Sequence, residues 1–131
     1  MGIFDKFKKT QRDIVKEERL EVPWHVLSEM KQLDEIAEQS KTKTVAIFKH
    51  STTCGISKMA LRNFERNYSL TDEQMKLYYL DLKSYRTVSD EVGYKFQVIH
   101  QSPQLIVVKN GIAVAHASHH SIQAEELINF I

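Results

Sequence analysis

The stretch that decides the fold is residues 45–57, which read VAIFKHSTTCGIS and run from Val45 to Ser57. Its first four residues form a continuous apolar run between polar neighbours, the pattern of a strand that is buried on both faces of a sheet. Apolar residues recur at helical spacing from Ile56 onward and predict an amphipathic helix directly after the strand. A central strand that turns at once into a helix is therefore the expected nucleus of the fold.

The rest of the chain supplies elements on either side of this unit. Strands are predicted at residues 24–27, 77–82, 105–108 and 112–117, and further helices around residues 30–37, 87–96 and 122–131. The last helix is expected to be amphipathic, and its apolar face is formed by Ile122, Leu127, Ile128 and Ile131. Helices separate the first three strands and predict parallel pairing, while Asn110-Gly111 predicts a tight antiparallel hairpin at the end. The expected fold class is α/β, with a central mixed β-sheet flanked by helices.

Length and charge limit the organisation and the partners. The 131 residues suit one domain, which we place at residues 22–131 behind a lysine-rich N-terminal extension at residues 1–21. The 18 basic and 17 acidic residues nearly cancel, so we expect no nucleic-acid or membrane partner. No apolar run approaches the ~20 residues of a membrane helix and no secretory pattern begins the chain, so a cytoplasmic location is expected.

Cys54 is the strongest candidate for a chemically reactive residue, because it lies at the predicted turn from strand to helix. Unpaired N–H groups and the helix dipole at such a position stabilise a thiolate, and Thr52 or Thr53 is expected to cap the helix. Ser57 follows one turn later, from where its hydroxyl is expected to donate to the sulfur. The alternative is an inert core cysteine, since free cysteines are often buried.

The chain contains one cysteine, so no internal disulfide can form. Ser57 stands where a dithiol oxidoreductase has its second cysteine, and a mixed disulfide on Cys54 would need a second thiol from outside. The sequence therefore favours a monothiol redox role, in which Cys54 attacks a disulfide between a protein and a small thiol.

Other residues are weighed against this site. Ser102-Pro103 precedes the strand at residues 105–108, where a cis proline would bend the loop towards Cys54; the alternative is an ordinary strand-leading proline. His50, His119 and His120 flank the same sheet edge as candidate bases or zinc ligands, but no paired ligand spacing supports a metal, and none is expected. A thiol-peroxidase interpretation of Ser51 and Cys54 lacks that motif's earlier proline.

These residues together resemble the monothiol bacilliredoxins, which are thioredoxin-fold proteins. The likeness covers residues 22–131 and rests on TCGIS at residues 53–57 after the strand end Phe48-Lys49-His50-Ser51, with Ser102-Pro103 and Asn110-Gly111 downstream. It implies a thioredoxin-like fold and removal of bacillithiol from S-bacillithiolated cytosolic proteins.

The resemblance also implies roles for single residues and for small molecules. Cys54 is the attacking residue with Ser57 beside it, and Thr53, Gly55, Ser102 and Pro103 are the expected substrate-binding residues. Bacillithiol is implied as a co-substrate without any bound cofactor, and either free bacillithiol or a flavin-dependent disulfide reductase as the recycler.

One position departs from the family's usual pattern, which has proline after the cysteine where this chain has Gly55. The glycine makes residues 54–57 similar to the Cys-Gly-Phe-Ser turn of monothiol glutaredoxins, some of which bind iron–sulfur clusters. A cluster carrier or a thioredoxin-like adaptor is therefore the alternative function, although the Gly-Gly motif of those glutaredoxins is absent.

Overall fold

A computed structural model describes residues 22–131, and the predicted extension at residues 1–21 lies outside the described part. The strands are β1 (Trp24–Val26), β2 (Val45–His50), β3 (Lys76–Asp81), β4 (Gln104–Lys109) and β5 (Ile112–Ser118). The helices are α1 (Lys31–Gln39), α2 (Gly55–Asn67) and α3 (Arg86–Phe96), followed by two 3₁₀ helices, His119–Ser121 and Ala124–Phe130.

The five strands form one sheet in the order β1-β3-β2-β4-β5. β3 pairs in parallel with both β1 and β2, while β4 runs antiparallel to β2 and to β5. The predicted mixed α/β sheet is therefore confirmed. None of the helices within residues 22–131 has the length and apolar character needed to cross a membrane.

Two hydrophobic cores cover the two faces of the sheet. Val45 and Ile47 of β2 face the core formed with α1 and α3, whereas Ala46 and Phe48 face the core formed with α2 and the last 3₁₀ helix. This alternation follows from the two-residue period of a strand. All six residues of β2 are buried, which is why its sequence is a nearly continuous apolar run.

The hairpin between β4 and β5 forms at the predicted dipeptide. Asn110 and Gly111 have φ angles of 52° and 75°, the positive values that a tight hairpin turn requires. A β-bulge follows, because Val108 pairs with Ala113 but Val107 pairs with Ala115. The extra residue, Val114, places the two alanines against opposite cores.

The predicted amphipathic helix at the C-terminus is wrong in type, because Ala124–Phe130 is a 3₁₀ helix. Its three-residue period brings Ala124, Leu127 and Phe130 against the core. Ile128 and Ile131, which helical spacing assigned to the buried face, remain 60% and 50% exposed.

A buried lysine occupies the end of the central strand. Lys49 is 0% exposed, and its Nζ donates to the Ser89 carbonyl at 3.0 Å and contacts His100 Nδ1 at 3.3 Å. Burial lowers the pKa of Lys49 from 10.5 to about 8, and nearby Asp90 opposes that effect. The charged form is therefore less favourable in the folded chain than in the unfolded one.

Replacing this lysine should change how stability depends on pH. Between pH 8 and 10 Lys49 is protonated in the unfolded chain and increasingly neutral in the folded one, so Lys49 contributes a rise of the free energy of unfolding with pH, on the order of 3 kcal/mol. Tyr68, whose pKa burial raises to about 12, contributes in the opposite direction near pH 10 in wild type and variants alike. Urea unfolding at pH 7 and pH 10 should show a smaller rise in Lys49→Met. Exposed Lys31→Met should retain the wild-type rise, and an equal rise in both variants would contradict the assignment.

Candidate active site at the end of the central strand

Cys54 lies between the end of β2 and the start of α2. It is the N-cap residue of α2, with an extended backbone at φ −102° and ψ 123°, and its side chain is partly exposed. The threonines at positions 52 and 53, predicted as caps, do not cap the helix, because the chain enters it one residue later than expected. No side-chain hydrogen bond caps α2, so its first N–H groups face the cysteine end without such a partner.

Backbone hydrogen bonds hold the cysteine turn. The Cys54 N–H donates to the Ser51 carbonyl at 3.2 Å, and the Lys58 N–H donates to the Cys54 carbonyl at 3.0 Å. Side-chain oxygens at an N-cap usually accept from the second or third helical N–H. The Cys54 side chain starts from this N-cap position and makes no such bond in the structure, so a thiolate formed there would face helix N–H groups with no side-chain cap and the positive end of the helix dipole.

Ser57 points away from its expected partner. Its side chain is 0% exposed, and its Oγ accepts a hydrogen bond from the Ser51 N–H at 3.0 Å and lies 2.9 Å from His50 Nδ1. The expected donation of the Ser57 hydroxyl to the Cys54 sulfur is therefore wrong. The hydroxyl is held by the buried end of β2, which faces α2.

His50 is the histidine that the structure brings into this site. It is 3% exposed, and burial lowers its pKa, an effect to which Lys58 adds and which Asp81 and the Ser57 hydrogen bond oppose. The low pKa favours a neutral imidazole. Within residues 22–131 no three His, Cys, Asp or Glu side chains are grouped as a metal site requires.

The proline loop lies beside the same sheet edge. Gln104 pairs with Lys49, so Ser102 and Pro103 precede β4 next to the end of β2. The Ser102–Pro103 peptide bond is cis, Pro103 is buried, and its carbonyl accepts from the His119 N–H at 3.1 Å. The 3₁₀ helix His119–Ser121 contacts α2, but the side chains of His119 and His120 are exposed.

Two more predicted residues lie on the exposed side of the turn. Thr53 is exposed, and its Oγ1 accepts a hydrogen bond from Lys83 Nζ at 3.0 Å. Gly55 is exposed, and a Cβ added to it would meet nothing within 4 Å. Sequence reasoning did not find Lys83, because 30 residues separate it from Thr53 and no local pattern links them.

Solved structures resemble this chain along most of its length. A candidate oxidoreductase with a thioredoxin fold is 33% identical, covering 82% of this chain and 92% of its own, with a TM-score of 0.69. Malassezia sympodialis thioredoxin is 23% identical over 80% and 84% of the two chains, with a TM-score of 0.61. Fasciola hepatica thioredoxin is 16% identical over 82% and 95% of the two chains, with a TM-score of 0.59. These two thioredoxins show the fold alone.

The fold and its relatives define a thioredoxin-fold protein with a thiol redox role. The sequence model of one family, described as Monothiol bacilliredoxin BrxC, matches residues 25–127. The chain therefore belongs to the monothiol bacilliredoxin family, which confirms the resemblance read from the cysteine turn.

The geometry predicts that proline is tolerated at position 55. Gly55 is the first residue of α2, where a missing N–H costs no helical hydrogen bond, and Cys54 already has the extended backbone that a following proline requires. We expect Gly55→Pro to stabilise the fold by about 0.4–1 kcal/mol, because it restricts the unfolded chain. Urea unfolding checks this value.

Gly111→Pro is the matched control, because a φ of 75° is closed to proline and this variant should lose stability. A Gly55→Pro variant that is also destabilised would contradict the backbone geometry assigned to the cysteine turn.

Proposed function

We propose that this protein removes bacillithiol from mixed disulfides on cytosolic proteins, with Cys54 as the attacking thiol. The observation that carries the proposal is the position of Cys54, the chain's one cysteine, which is partly exposed at the N-cap of α2. Family membership supports bacillithiol as the small thiol.

The proposed reaction takes place in two exchanges. The Cys54 thiolate attacks the bacillithiol sulfur of the mixed disulfide, a bond forms between these sulfurs, and the substrate protein leaves as a thiolate. A second bacillithiol thiolate then attacks the bacillithiol sulfur carried by Cys54, which releases bacillithiol disulfide and the Cys54 thiolate. A flavin-dependent disulfide reductase is the proposed partner, whose reduced flavin supplies the two electrons that, with two protons, return this disulfide to two thiols.

The residues around the cysteine supply the proposed substrate contacts. Thr53 and Gly55 are exposed on either side of Cys54, and Ser102 and Pro103 lie at the neighbouring strand end. A backbone segment beside the thiol can hold an extended substrate strand, so we assign these four residues to substrate binding. A stabilised thiolate is also a good leaving group, which favours regeneration of Cys54.

Cys54→Ser should abolish the exchange and leave the fold intact, because serine is nearly isosteric but not nucleophilic at neutral pH. The substrate is a purified protein carrying one bacillithiol, and intact-mass spectrometry follows the loss of that adduct. Thermal unfolding shows whether the variant remains folded. Continued removal by folded Cys54→Ser would overturn the mechanism.

The choice of small thiol is tested with the wild-type protein. Exposure to bacillithiol disulfide should add one bacillithiol per chain, and the adduct should persist until free thiol is added, because no second cysteine can displace it. Intact mass measures both steps, with glutathione disulfide as the comparison. Equal rates of adduct formation with both disulfides would contradict bacillithiol specificity. Purified protein that is a brown dimer with charge-transfer absorption would instead indicate a cluster carrier.

A further inference from the structure

Two residues with buried polar side chains flank the cysteine turn along the chain. His50 is the last residue of β2 and Ser57 lies in the first turn of α2, with exposures of 3% and 0%. Both stand on the face of the sheet that packs against α2, because His50 follows Phe48 in the strand alternation. Their positions set the entry to and the exit from the segment that carries Cys54.

Hydrogen bonds connect these two side chains to the turn between them. The Ser51 N–H donates to Ser57 Oγ at 3.0 Å, and Ser57 Oγ lies 2.9 Å from His50 Nδ1. A neutral imidazole with its proton on Nε2 accepts, at Nδ1, a hydrogen bond that the Ser57 hydroxyl donates. The strand end, the start of the turn and the helix are thus joined through one hydroxyl, which we call the Ser57 link.

The Ser57 link controls the surroundings of Cys54 through the backbone. The Cys54 N–H donates to the carbonyl of Ser51, the same residue whose N–H binds Ser57 Oγ. Ser57 is the third residue of α2, so its own N–H is one of the donors nearest an N-cap side chain. Fixing Ser57 relative to Ser51 therefore fixes this donor relative to the Cys54 backbone, from which the sulfur projects.

Packing alone does not require this arrangement. An apolar pair of similar shape fills a buried site at nearly the same stability, whereas a polar pair is costly unless both members are bonded. Buried polar networks specify one geometry more sharply than apolar contacts do. A buried hydrogen-bonded pair that flanks the cysteine turn is therefore better suited to holding an orientation than to adding stability.

We propose that His50 and Ser57 are positioning residues, which hold the N-terminal turn of α2 so that its N–H groups face the Cys54 side chain. Neither residue touches the substrate, and His50 acts only through Ser57. The inference rests on Cys54 being the attacking thiol of the proposed function. It does not depend on which small thiol is transferred.

The test measures the rate at which the Cys54 thiol reacts with each of two probes, iodoacetamide and the small disulfide cystamine. His50→Leu and Ser57→Ala should each slow both reactions by about tenfold, because small errors in orientation strongly reduce rates. The double variant should react no more slowly than either single variant, since all three break the same link. Thermal unfolding is recorded for every variant.

Asparagine at position 50 separates positioning from simple loss of packing. Asn carries a hydrogen-bonding atom near the place of His50 Nδ1, so His50→Asn should recover most of the rate that His50→Leu loses. His25→Asn is the matched control, because His25 lies on β1 and bonds Asp72. In this variant Cys54 should react with both probes at the wild-type rate.

Three results would overturn the proposal: wild-type rates in folded Ser57→Ala, equal slowing in the leucine and asparagine variants at position 50, or additive losses in the double variant. Should His50→Leu fail to fold, Ser57→Ala alone still decides. Since both probes act without bacillithiol, failure of the bacillithiol assignment leaves this test valid, and the reverse also holds.

Discussion

Burial of β2 on both faces is the constraint on which the rest of the molecule depends. The strand lies between parallel β3 and antiparallel β4, and all of Val45–His50 is buried. A shift of its register by one residue would move every side chain to the wrong core. Because only residues 51–54 connect His50 to α2, the register that the apolar residues enforce also determines where Cys54 lies.

The last two residues of this strand are polar, and each is satisfied by a different helix. Lys49 reaches the Ser89 carbonyl of α3, whereas His50 reaches Ser57 of α2 on the other side of the sheet. Buried polar groups are costly without partners, so these contacts fix the helices to the sheet as well as satisfying the strand. The cysteine turn thus starts from an edge that both helices hold.

Local patterns were sufficient for most of the fold. Apolar runs located the strands, and the positive φ angles at Asn110 and Gly111 explain why that dipeptide located the hairpin. The C-terminal segment was assigned the wrong helix type, because its apolar residues fit two periods. Ala124, Leu127 and Phe130 recur every three residues, whereas Leu127, Ile128 and Ile131 fit the face of an α-helix. The choice between them depends on the shape of the core.

The candidate site was predictable in its location but not in its hydrogen bonds. The sequence offered Ser102-Pro103 as a neighbour of Cys54 but did not give the strand order. The pairing of Gln104 with Lys49 brings that dipeptide next to the end of β2. The hydrogen-bond partner of Ser57 could not be predicted from the sequence. Helical spacing brings Ser57 near Cys54, whereas the alternation of β2 turns His50 towards the helix that carries Ser57. Only the packed sheet decides between these two neighbours, and it selects the histidine.

The single extra residue in β5 has an effect far beyond the hairpin. Val114 advances the pairing by one position, so that Ser118 lies opposite Gln104 and the next N–H, from His119, reaches the Pro103 carbonyl. Without this shift of register, Gln104 would lie opposite Ala117 instead of Ser118. An irregularity near the tip of one hairpin thereby sets the alignment at its opposite end, where the cysteine turn lies.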